Sequence, residues 1–129
     1  MSGQLENKVA VITGAGRCLG AAYAIAFAKE GAKVCVSDVL DTTDTVKAIT
    51  SIGGEALGLP CDVTDLVACE SMAKNAEEKF GGLDILVNNA AMFVDLPRRT
   101  FLDIGSEEWD SVMAVNVRGS FNCTKAVVP

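Results

Sequence analysis

The sequence of 129 residues contains no histidine, which removes imidazole-based triads and histidine metal ligands from the chemistry open to it. Its five cysteines, Cys18, Cys35, Cys61, Cys69 and Cys123, include no CxxC pair, so zinc-finger spacing is absent. An odd count also argues against a complete disulfide framework. No metal site is expected, and most of the thiols read as buried small hydrophobes. Lysine and arginine nowhere cluster, Arg98 and Arg99 being the one adjacent basic pair, and the net charge is −6. That balance leaves no electrostatic footprint for nucleic acid. No apolar run approaches the ~20 residues that span a bilayer, and the N-terminal stretch lacks the apolar core of a signal peptide. A membrane partner is therefore not expected, and a cytoplasmic location is the default.

What remains is a chain half hydrophobic and only 22% charged, enough to build one packed domain over residues 1–129. Short β-branched stretches alternate with longer segments of helical spacing, four times over. Strands are expected near Val9 to Thr13, Lys33 to Ser37, Ala56 to Leu59 and Ile85 to Asn88. Three of these are nearly continuous apolar runs, the mark of parallel strands covered on both faces; Gly58 interrupts the other. Helices are expected over Leu19 to Glu30, stopped by Gly31, over Thr42 to Ile52, and over a third segment capped by Thr64 in which Cys69, Met72, Ala73, Ala76 and Phe80 recur at helical spacing. A fourth starts with Ser106 as cap and Glu107 and Glu108 in its first turn, with Trp109, Val112, Met113 and Val117 facing inward. Such a βαβα order implies an α/β fold of Rossmann type, a doubly wound parallel sheet of about four βα units. Ala91 to Gly105 is the one long connection, fit for substrate contacts or for simple exposure to solvent.

Directly after the first strand stands Thr13-Gly14-Ala15-Gly16-Arg17-Cys18-Leu19-Gly20, running into the first helix. A glycine-rich turn at that place lets backbone N–H groups approach a pyrophosphate at the positive end of a helix. The second strand ends in Ser37-Asp38, where a carboxylate can accept hydrogen bonds from the adenosine ribose hydroxyls and would repel a 2′-phosphate. NAD is therefore expected before NADP, although Arg17, a cation in the turn, pulls the other way.

Four motifs in order then resemble those of the short-chain dehydrogenase/reductase family. Thr13 to Gly20 is similar to TGxxxGxG, Asp62-Val63 to the acidic dipeptide after the third strand, Asn88-Asn89-Ala90-Ala91 to NNAG, and Asn116-Val117-Arg118-Gly119 to NVxG. The resemblance runs from about Leu5 to the end of the chain. It implies that Thr13, Gly14, Gly16, Arg17, Cys18, Leu19 and Gly20 cradle the cofactor, with Gly14 as the turn glycine and Gly20 as the helix-packing glycine. It further implies Asp38 as ribose ligand, Asp62 and Val63 as adenine contacts, Asn88 with Asn89, Ala90 and Ala91 as a cofactor-side and sheet-stabilising segment, and Asn116 as the catalytic asparagine that kinks its helix and anchors a proton-relay water.

Two departures stand out. Cys18 occupies the place of the family's middle glycine, where a side chain would crowd the phosphates and strain the turn if φ is positive. Ala91 replaces the last glycine of NNAG. The family's serine and Tyr-x-x-x-Lys follow the fourth helix, beyond Pro129, and the single tyrosine, Tyr23, has Phe27 four residues on and reads as helix packing. The resemblance thus implies an NAD-dependent oxidoreductase that interconverts a secondary alcohol and a ketone and forms homo-oligomers in its longer form. The 129 residues alone, truncated before the proton-transfer groups, are expected to be inactive. The alternative is a non-catalytic nucleotide-binding or interaction module.

Overall fold

The structure, a computed structural model, describes residues 3–129. Four parallel strands, β1 (Val9–Thr13), β2 (Lys33–Asp38), β3 (Ala56–Pro60) and β4 (Ile85–Val87), form one sheet in the order β3-β2-β1-β4. All three pairings are parallel, with Val11 opposite Cys35 and Leu86, and Cys35 opposite Leu57. The chain steps outward from β1 to β3 and then returns across β1 to β4. That reversal opens a crevice at the carboxyl ends of β1 and β4.

The continuous apolar runs have the expected cause. Every residue of β1 is buried, as is every residue of β2 after Lys33, because both strands lie inside the sheet with helices on each face. Period-two alternation divides them: Ile12, Val34 and Val36 meet Ala24 and Ala28 of α1 (Cys18–Lys29) and Ile49 of α2 (Thr43–Ser51) on one face. Val11 and Cys35 turn the other way, toward Cys69, Met72 and Ala76 of α3 (Leu66–Phe80) and Cys123 of α5 (Gly119–Val127). Alanines along α1 allow its backbone to lie close to the sheet. Gly31 at φ 94° and Gly81 at φ 84° end α1 and α3 in the left-handed conformation that helix stops require.

Three local expectations are corrected. The cap of α3 is Asp65, whose carboxylate accepts from Val67 N at 3.0 Å, whereas Thr64 donates its N–H and hydroxyl to Asp62 Oδ1 at 2.9 and 2.7 Å. A residue earlier, Thr64 is held in a turn that the acidic Asp62 organises. Ser106 is the first residue of α4 (Ser106–Met113) instead of its cap; Gly105 takes that place with no side-chain bond. The single fourth helix is in fact α4, a π-helical turn over Ala114–Arg118, and α5.

The inward face assigned to that helix is also corrected. Trp109, Met113 and Val117 are exposed and Val112 is only half-buried. Among the described residues α4 makes no substantial contact with any strand, so its apolar stripe has no layer to pack against. Likewise β4 pairs with β1 alone, which leaves its residues half-buried.

Candidate dinucleotide site

At the carboxyl ends of the strands lies a cavity of about 510 Å³, lined in part by Gly14, Arg17, Cys18, Gly20, Asp38 and Asp62. The volume falls within the usual range for a small-molecule site. Leu19, Val63, Asn89, Ala90 and Ala91 also face it. Thus eleven of the expected cofactor residues converge on one space, and Thr13 and Gly16 are the two that do not line it.

Tertiary bonds hold the glycine turn in shape. Gly14 adopts φ 64°, and a Cβ there would stand 2.9 Å from Ala90 Cα. A Cβ on Gly20 would overlap the carbonyl oxygen of Gly14, so the helix can approach the turn only without a side chain at this position. Thr45 of α2 donates its buried hydroxyl to Ala15 O at 2.9 Å and Gly16 O at 3.2 Å. No sequence signal pointed to Thr45, because its partners lie thirty residues away.

Behind this turn the first N–H of α1 to reach a backbone carbonyl is that of Ala21, bonded to Arg17 O at 3.2 Å. The N–H groups of Cys18, Leu19 and Gly20 precede it and have no intrahelical partner. They offer orphan donors and a positive helix end to an anion. A pyrophosphate fits this donor set. Cys18 is exposed, lies on the cavity and sits at φ 53°. The positive φ on which strain at this position depends is present, at a cost of about 1 kcal/mol or more for a residue with a Cβ.

Asp38 ends β2 and is buried, with Oδ2 accepting from Gly16 N at 2.9 Å and Oδ1 from Leu40 N at 3.0 Å. Each carboxylate oxygen keeps a further lone pair for a ribose hydroxyl. The bond from Gly16 ties the strand end to the glycine turn, so Asp38 has a structural task besides any ligand contact. Arg17 reaches across the mouth to Asp95 at 4.0 Å; both side chains are solvated.

On the opposite wall the Asn-Asn pair divides its work. Asn88 is exposed and donates to Thr124 Oγ1 at 3.2 Å, so it faces α5 and not the cavity. Asn89 supplies the sheet-stabilising function, donating Nδ2 to the carbonyls of Thr13 and Gly14 at 3.1 and 3.2 Å. Val63 is buried, and its carbonyl accepts from Asn122 Nδ2 at 2.9 Å, while Gly119 of the NVxG segment lets α5 close on the Val63 side chain. Asn116 lies inside the π turn. Its Oδ1 accepts from Met92 N at 2.7 Å and its Nδ2 donates to Met92 O at 3.1 Å, so the side chain clamps the start of the long loop. The π turn over Ala114–Arg118 carries one extra residue in a helical turn.

A parallel α/β sheet with a glycine turn, a helix amino end and a carboxylate around one crevice defines the class of dinucleotide-binding folds. Residues 8–129 match the short chain dehydrogenase family. The chain is 43% identical to galactitol 2-dehydrogenase of Agrobacterium fabrum over 124 residues, covering 96% of this chain and 47% of that protein. It is 44% identical to the short-chain reductase protein NovJ of Streptomyces niveus, covering 95% of this chain and 46% of the other. Among solved structures, the hydroxysteroid dehydrogenase of Escherichia coli superposes with a TM-score of 0.87 at 35% identity, over 95% of this chain and 52% of that one. A short-chain type dehydrogenase/reductase of Mycobacterium marinum gives 0.90 at 33% identity, over 95% and 49%.

The chain belongs to the short-chain dehydrogenase family, a family of oxidoreductases whose members generally bind NAD(P). It spans about half the length of the curated relatives it matches. Family membership favours the oxidoreductase reading over a non-catalytic module.

Proposed function

We propose that residues 1–129 are the dinucleotide-binding domain of an NAD-dependent oxidoreductase that interconverts a secondary alcohol and a ketone. The observation that carries this reading is the placement of Asp38 against Gly16, at the amino end of α1 and on the same cavity as Asp62 and Val63. Bound NAD would supply the hydride acceptor. The chain's own residues bind and orient it: the N–H groups of Cys18, Leu19 and Gly20 take the pyrophosphate, Asp38 takes the ribose, and Asp62 with Val63 flank the adenine. Asp38 opposes a 2′-phosphate by charge and favours NAD over NADP. Arg17 lies 4.0 Å from Asp95, whose carboxylate offsets part of its charge.

In this reading Asn116 is a positioning residue. Its amide fixes Met92, and Met92 lines the cavity, so the clamp sets the wall against which the nicotinamide and a small alcohol or ketone would lie. Trp109, Met113, Val117 and Phe121 recur at four-residue spacing along α4, the π turn and α5, and all are exposed. That stripe supports a homo-oligomer interface. A cytoplasmic location accords with the free thiols.

Calorimetric titration with NAD and NADP tests the proposal. NAD should bind more tightly, and Asp38→Asn should narrow the preference by removing the charge that repels the 2′-phosphate. Failure of the chain to bind either dinucleotide, while folded by circular dichroism, refutes it.

A further inference from the structure

Four of the five cysteines lie in one core cluster on the α3 and α5 side of the sheet: Cys35, Cys61, Cys69 and Cys123. The sulfurs of Cys61 and Cys69 are 4.0 Å apart, and those of Cys69 and Cys123 are 3.7 Å apart. Only Cys61 also lines the dinucleotide cavity, and it alone of the four keeps any solvent exposure, 4% against 0% for the others. The file of thiols therefore opens on the cavity wall and runs inward. The Ser37 hydroxyl is fully buried, and the Cys61 thiol is the neighbour it can hydrogen-bond.

We propose that Cys61 and Cys69 form an oxidation site, closed to a disulfide by small hydroperoxides that enter through the dinucleotide cavity. In the first step the Cys61 sulfur takes the terminal oxygen of the hydroperoxide, giving a sulfenic acid and releasing the alcohol, or water if the oxidant is hydrogen peroxide. In the second step the Cys69 sulfur displaces that hydroxyl, forming the S–S bond and releasing water. Two thiols are oxidised and one peroxide is reduced. The Ser37 hydroxyl is placed to hydrogen-bond the sulfenic acid.

Geometry selects this pair over Cys69 and Cys123, although the latter sulfurs are slightly closer. Cys69 and Cys123 sit on two packed helices, α3 and α5, so drawing their sulfurs from 3.7 Å to bonding distance must shift one helix against the other. Cys61 follows β3 on a connecting segment and can move without shifting a helix. Burial raises the pKa of Cys61 and of Cys69 to about 12, so at neutral pH both persist as thiols and the site answers slowly, to sustained oxidant.

The bridge has a consequence for the cavity. It encloses Asp62 and Val63, both on the cavity wall, and draws that segment toward α3. Oxidation should therefore weaken dinucleotide binding, and by linkage a bound dinucleotide should slow oxidation. This coupling rests on the proposed function; the disulfide does not.

Tryptic mapping separates the possibilities, because residues 48–74 form one peptide holding both Cys61 and Cys69, whereas Cys123 falls in residues 119–125. After hydrogen peroxide treatment and alkylation, the 48–74 peptide should appear lighter by two hydrogens and unalkylated, and Cys61→Ser should leave Cys69 reduced. A cross-link between the 48–74 and 119–125 peptides, or over-oxidised Cys61 without a bridge, overturns the site. NAD at ten times its separately measured dissociation constant should slow the bridge about tenfold. An unchanged rate at that occupancy overturns entry through the cavity. If the titration shows no NAD binding, the cofactor reading fails while the peptide result still decides the disulfide.

Discussion

Asn89 donates twice to Thr13: its side-chain amide to Thr13 O at 3.1 Å, and its backbone N–H to the Thr13 hydroxyl at 3.1 Å. That hydroxyl also accepts from Ala90 N at 3.0 Å and donates to Val87 O at 3.4 Å. The two residues stitch the ends of β1 and β4 together at the point where the sheet order reverses. The glycine turn rests on this stitch, since Asn89 bonds Gly14 as well.

Asn89→Ala would leave the buried carbonyl of Thr13 and that of Gly14 short of a donor. Stability should fall by about 1–3 kcal/mol. Urea denaturation measures the loss, and calorimetry should show weaker NAD binding, because the freed turn no longer holds its N–H groups in place.

Cys18→Gly should act in the opposite direction. Removing the Cβ relieves a left-handed backbone, stabilising the fold by about 1 kcal/mol. It also clears space beside the pyrophosphate position, so NAD affinity should rise. Cys18→Ala keeps the strained Cβ and should leave the melting temperature near that of the parent. Equal NAD dissociation constants for the parent and Cys18→Gly would refute the crowding argument.

Alkaline pH should unfold the chain through its buried thiols. Cys35, Cys61 and Cys69 are pushed from an ordinary 9.0 to about 12, by burial first and by neighbouring thiols second, and burial raises Cys123 also. Below the unfolded value of 9.0 both states carry protonated thiols and no slope arises. Between that pH and about 12 the unfolded chain releases protons that the folded one keeps. Stability then falls with rising pH, by about 1.4 kcal/mol per pH unit for each thiol. Urea midpoints measured across this range check it; a flat profile would contradict the burial. At neutral pH, iodoacetamide should label exposed Cys18 before any of the other four.

Asn116→Leu removes both bonds of the Met92 clamp and leaves the backbone groups of Met92 without those partners. The expected cost is about 1–3 kcal/mol. Hydrogen exchange should quicken first at Met92 and the loop that follows it, while the core of β1 and β2 stays protected. Asn116→Asp, which keeps the acceptor for Met92 N, should recover part of the protection at that amide.

The order of elements could be read from the chain because it depends on local patterns. Buried strands such as Val9–Thr13 and Lys33–Asp38 are apolar on both faces, and the glycines after α1 and α3 mark stops that only a left-handed backbone can make. Boundaries at α3 and α4 slipped by a residue, since Thr64 and Ser106 are themselves capping residues standing next to Asp65 and Gly105, which took the caps. The inward face of the fourth helix was misplaced for a different reason. Periodicity shows that a stripe exists and is silent on whether anything lies against it.

By itself, then, the sequence determined the βα alternation, the glycine turn before α1 and the carboxylate at the end of β2, because each is a matter of residues adjacent in the chain. Only the tertiary structure decided that Thr45 and Asn89 would hold that turn, that Asn116 would clamp Met92, and that four scattered cysteines would meet in one core. Those contacts join residues tens of positions apart, and their partners are chosen by how helices settle on the sheet.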